Sequence, residues 1–169
     1  MNTLKSIVCS TTIRAPLRRG FTRGLLAGLI ALALPAWAAP AQLRNLDKQG
    51  LALQGYDPVA FFSGGKPVKG APAFTSSVDG ATYRFASAEN KASFDKSPAK
   101  YEPQFGGYCA YGVSKGKLVE IDVEAFQIVD GRLLLQYSKG VREKFNKDTA
   151  GSLKKADANW PTLNKPKEK

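Results

Sequence analysis

Histidine is absent from all 169 residues. That absence excludes Ser-His and Cys-His catalytic arrangements and any imidazole metal site. Cysteine is nearly as scarce. Of the two, Cys9 lies in the N-terminal segment read below as a removable signal, so Cys109 stands alone in the remainder and no internal disulfide can form there. Long apolar runs are also missing: the stretch from Leu25 to Leu34 falls far short of the roughly 20 residues a membrane-spanning helix needs, and Pro35 ends it. The lysines and arginines form no basic stripe with interleaved aromatics, so nucleic acid is not an expected partner. Glu89 and Asp122 are lone carboxylates without a partner at diagnostic spacing, and no paired acid and base is visible.

The N-terminus follows the order of an export signal: Arg14, Arg18, Arg19 and Arg23, then the apolar run, then Ala36-Trp37-Ala38. This predicts a signal peptide over residues 1–38, cleavage after Ala38 and a domain that works in the periplasm or is secreted, with no transmembrane anchor once the signal is gone. Arg18-Arg19-Gly20-Phe21-Thr22-Arg23 is similar to the twin-arginine motif, from which Leu17 and Thr22 depart. A general-secretion signal is the alternative. Five of the 25 basic residues and none of the 14 acidic ones precede residue 39, so the processed chain carries 20 against 14, a net charge of +6. Lys165, Lys167 and Lys169 make its tail (161–169) basic.

The processed chain has the length of one ordinary domain. Residues 39–50 read as a polar lead-in and the domain begins near Leu51. Gly55-Tyr56-Asp57-Pro58 suits a capped entry into a short helix, with Asp57 as the cap. Asp79-Gly80 is a hairpin turn between 73–78 and 81–85, and Ser87 caps a helix ending before Ser97-Pro98. Tyr108–Val113 and Leu118–Ile121 read as a second hairpin, and Asp130-Gly131 turns a third between 126–129 and 132–137. Val141 and Phe145 share a helix face, and a last helix runs from Thr149 to Asn159 before Trp160-Pro161. No internal repeat is evident. The expected class is α+β: one small domain, mainly antiparallel hairpins with short helices packed on them.

Gly55-Tyr56-Asp57-Pro58-Val59-Ala60-Phe61-Phe62, Tyr83-Arg84-Phe85-Ala86-Ser87-Ala88-Glu89-Asn90 and Gly106-Gly107-Tyr108-Cys109-Ala110-Tyr111-Gly112-Val113 together resemble the exported bacterial YHS-domain family, over most of residues 51–160. Some members of that family are heavy-metal modules, so the resemblance implies a metal such as copper as a cofactor. The cysteines that serve as their ligands align with Ala60, Ala86 and Asn90, and alanine has no lone pair to give. Exported relatives also include selenoproteins, which implies redox chemistry at a chalcogen for which Cys109 is the one candidate.

The expected function is a binding or accessory domain for a metal, a small ligand or a periplasmic protein partner. A thiol-dependent redox enzyme using Cys109 and a protein-interaction module are the alternatives. The candidate ligand-binding residues are Cys109, Tyr108, Tyr111 and Asp57. Each has a plainer reading: Cys109 as a buried residue on a strand beside Tyr111 and Val113, Asp57 as a helix cap, and the tyrosines as core.

Overall fold

A computed structural model describes residues 42–165. The export signal, its cleavage point, the start of the lead-in and the end of the lysine tail lie outside the described residues.

The chain begins with a 3-10 turn at Leu53–Gly55, then α1 (Ala60–Ser63), the hairpin β1 (Ala71–Val78) and β2 (Ala81–Phe85), and α2 (Ala88–Lys96). A short α3 (Pro98–Tyr101) leads to a second 3-10 turn at Gln104–Gly107. After it come α4 (Ala110–Ser114), the hairpin β3 (Asp122–Val129) and β4 (Arg132–Gln136), α5 (Lys139–Asn146) and α6 (Thr149–Leu163). The class is α+β, with two separate two-stranded antiparallel sheets. Both Asp-Gly turns form as their sequence requires, Asp79-Gly80 and Asp130-Gly131 each taking positive φ. The Ser87 oxygen accepts the Asn90 N–H at the start of α2, as expected for its cap.

Three expectations are corrected. Residues 108–113 do not form a strand: Phe105, Gly106 and Gly107 all take positive φ and reverse the chain, and the segment closes into the single turn of α4. Gly112 permits this because a Cβ there would lie 2.8 Å from Val119 Cγ2. The last helix continues through Pro161 to Leu163. The lead-in belongs to the folded body. Leu43 N–H donates to Asn164 Oδ1 (2.6 Å), Asn45 N–H to the Gly106 carbonyl (2.8 Å), and Leu46 bridges Ala52.

An internal repeat, unread in the sequence, organises the whole. The register break of the first hairpin falls between Ala71↔Phe85 and Thr75↔Arg84, and that of the second between Asp122↔Gln136 and Phe126↔Leu135, each 51 positions later. The 3-10 turn with positive φ, the one-turn helix, the bulged hairpin and the serine-capped helix recur in the same order, Ser138 doing for α5 what Ser87 does for α2. Leu51 bridges Thr82 in the first half and Pro103 bridges Leu133 in the second, both in parallel sense.

Each half has its own core. Tyr83 and Phe85 pack on Phe94 in the first, and Leu134 packs with Phe145, Val113 and Ala156 in the second. A third cluster joins them: Leu53 and Phe61 from the first half meet Val123, Leu133 and Leu135 from the second, with the Phe61 and Phe126 rings edge to face at 4.8 Å. This explains the unbroken run Leu133-Leu134-Leu135, because β4 is covered on both faces and has no polar side to alternate with.

Candidate functional site

Asp57 is wholly buried. Its Oδ1 accepts the N–H groups of Val59 (2.8 Å) and Ala60 (3.3 Å), capping the turn into α1, while Oδ2 accepts Ala86 N–H (2.8 Å) and Asn90 Nδ2 (2.7 Å) across the half-domain. Four donors replace the water the carboxylate lost. It makes no ion pair with a described residue and lines neither of the two pockets beside the lead-in.

Cys109 occupies the matching position of the second half. Its Sγ accepts N–H groups from Gly112 (3.4 Å), at the start of α4, and from Tyr137 (3.3 Å), the residue 51 positions after Ala86. Cys109 N–H bonds the Val119 carbonyl just as Asp57 N–H bonds that of Val68, again 51 positions earlier. The thiol in turn donates to Gln136 Oε1 (3.4 Å), which also accepts Tyr111 N–H (3.0 Å). With 1% of its surface exposed, Cys109 is a buried anchor, not on a strand but at the cap of α4.

Tyr108 and Tyr111 are half-buried and pack against the second core. Burial, with Glu120 adding to it, pushes the Tyr108 phenol above its ordinary value. The Lys115 ammonium sits over the Tyr111 ring at 5.1 Å. Asp57 and Cys109 thus lie in different halves, the tyrosines serve packing, and none of the four lines either of the two pockets beside the lead-in. Among the described residues no three His, Cys, Asp or Glu side chains converge to hold a metal ion. The Asp57 surroundings, where Ala86 and Asn90 lie, supply donors of hydrogen rather than of lone pairs, so the residues present do not fit copper.

The open cavity lies elsewhere, beneath the lead-in. It measures about 330 Å³ and is lined by Gln42 and Arg44 from the lead-in, Ala99 and 102–106 from the α3 region and the turn after it, Arg132 at the start of β4, and Asp157, Trp160 and Pro161 from α6. Arg44 is 6% exposed in its side chain and bonds Glu102 Oε2 (2.6 Å), Asp79 Oδ2 (2.9 Å) and the Tyr83 hydroxyl (3.4 Å). Burial works against its charge, but the bond to Glu102 and the neighbouring Tyr83, Glu102 and Asp79 outweigh it and hold its pKa above the ordinary arginine value. Its Nε has no hydrogen-bond partner among the described residues. Arg132 forms a two-pronged bridge to Asp157 (2.6 and 3.0 Å), gives Nε to Gln104 Oε1 (3.0 Å) and lies 5.7 Å from the Phe105 ring centre. The bond to Asp157 raises its pKa despite partial burial.

The sequence offered Arg132 only as the start of a strand and Trp160 only as the end of a helix, and gave no sign of Arg44, Glu102, Gln104 or Asp157. These residues come from separate stretches of chain and share no spacing, so no linear motif marks them. No family model, curated protein or solved structure matches the chain.

Proposed function

We propose that this chain is an exported, YHS-like binding domain, non-enzymatic, that holds a small ligand in the cavity under the lead-in. The cavity itself carries the reading: its volume falls at the lower end of the roughly 300–1,000 Å³ of small-molecule sites, and the buried Arg44 and partly exposed Glu102, Gln104, Arg132 and Asp157 converge on it beside an aromatic wall. The reactive-thiol alternative is left aside because Cys109 is sealed and its sulfur engaged. The metal alternative is left aside for want of ligands.

Trp160 makes the test direct. The chain has two tryptophans, and Trp37 leaves with the signal, so Trp160 is the sole tryptophan emitter of the processed protein. Titration with neutral polyols, organic acids and amines is expected to change its emission saturably for one class. No saturable change with any of them overturns the reading. Export is checked separately by the mass of the protein recovered from the periplasm, which should lack residues 1–38; a full-length mass there refutes the cleavage.

A further inference from the structure

We infer that the ligand is a neutral polyhydroxylated ring, a monosaccharide or cyclitol, an inference that rests on the cavity's being a binding site. The cavity's charges decide this. Its two guanidinium groups are each already closed by a carboxylate, Arg44 by Glu102 and Arg132 by Asp157. An entering anion would face Glu102 and Asp157, and an entering cation would face Arg44 and Arg132. To displace Glu102 would weaken the pairing of a buried Arg44, which is costly, while the more exposed bridge of Arg132 to Asp157 adds a smaller resistance. A neutral ligand meets no such opposition.

The hydrogen-bonding groups point the same way. Arg132 has five N–H donors, of which three serve Asp157 and Gln104, so two remain. Gln104 spends its carbonyl oxygen on Arg132, which leaves its NH₂ group to donate. Glu102 gives one oxygen to Arg44 and keeps the other as an acceptor, and each Asp157 oxygen accepts one bond and has room for a second. Unused donors and unused acceptors thus both belong to side chains that line one small space. A hydroxyl group both donates and accepts, so a ring carrying several adjacent hydroxyls satisfies this arrangement where a carboxylate or an ammonium satisfies half of it. Trp160, Pro161 and Pro103 supply an apolar wall for the C–H face of such a ring. A cavity of about 330 Å³ holds one ring rather than an extended chain.

Calorimetric titration of the exported protein with glucose, galactose, N-acetylglucosamine and myo-inositol tests this beside succinate, citrate and phosphate, and beside putrescine and choline. Saturable binding of at least one neutral ring is expected, weakened about tenfold or more in Asp157→Asn and in Gln104→Ala, each of which removes hydrogen bonds on one side of the cavity. Asp157 is half-exposed, and retained melting curves confirm that both variants fold. Binding confined to the acids or the amines overturns the inference and leaves the binding reading standing. Binding of neutral rings with unchanged affinity in both variants places the site elsewhere and also overturns it. Silence from all three classes removes the binding reading and the inference together.

Discussion

A carboxyl group with no exposed surface needs partners in place of water, and Asp57 accepts four hydrogen bonds. Asp57→Asn has the same shape but one oxygen fewer. With its NH₂ in the Oδ1 place it faces the Val59 and Ala60 N–H groups, and in the Oδ2 place it faces Ala86 N–H, so at least one backbone donor loses its acceptor whichever way the amide turns. A loss of about 3 kcal/mol is expected, read as a lower urea midpoint at unchanged slope. Cys109 is subject to the same logic with weaker bonds. Native protein should resist alkylation until denaturant is added, and Cys109→Ala should cost about 2 kcal/mol, because it strands the Tyr137 and Gly112 N–H groups as well as leaving a small void. Rapid alkylation of the folded chain would contradict this and restore the thiol as a chemical site. The plain readings of both residues, cap and buried packing, were legible in the sequence. That they are one position repeated went unread, although Gly55-Tyr56 and Gly107-Tyr108 precede them alike, because the two halves share too few other residues to show the repeat.

At the scale of elements, the lead-in is held by its backbone as well as by the Arg44 side chain. The carbonyl of Leu43 passes so close to Gly106 that a Cβ there would overlap it and crowd Trp160, and Gly106 already stands at φ +58°. Gly106→Ala should therefore lift residues 42–46 off the domain at a cost of roughly 2–4 kcal/mol, combining left-handed strain with overpacking. Faster amide exchange at Asn45, whose N–H bonds the Gly106 carbonyl, reports the release. Unchanged exchange would mean the contact is not what holds the segment. The two Asp-Gly hairpins and the serine-capped helices were readable because turn and cap chemistry acts over two to four residues. The run from Tyr108 to Val113 misled because its aromatic, alternating pattern suits a strand. What folds it into α4 is the reversal at Phe105–Gly107 and the close approach of Val119 to Gly112.

For the molecule as a whole, buried phenols set an alkaline limit. Burial pushes the Tyr83 phenol well above its ordinary value, with Glu102 and Asp79 adding to the shift and Arg44 opposing it, and Tyr108 is raised as well. The folded state thus holds these protons more tightly than the unfolded chain, whose tyrosines titrate near about 10. The stability they confer is complete below that pH and is lost as pH rises above it. Urea midpoints should be flat from about pH 7 to 9 and fall from about pH 10 upward. The fall should be shallower in Tyr83→Phe. An equal fall in that variant would assign the alkaline limit to other groups.

The sequence by itself determined the α+β class, the Asp-Gly turns, the caps at Asp57 and Ser87, and the exclusion of histidine chemistry, because each depends on one residue type or on neighbours a few positions apart. Tertiary structure decided the rest. It turned the lead-in into a wall of the domain, paired Asp57 with Cys109 as equivalent anchors and brought Arg44, Glu102, Arg132 and Asp157 around one cavity. Those arrangements depend on contacts between residues as far apart as Arg44 and Trp160, and such contacts exist only once two half-domains with unlike sequences have packed through the shared cluster of Leu53, Phe61, Leu133 and Leu135.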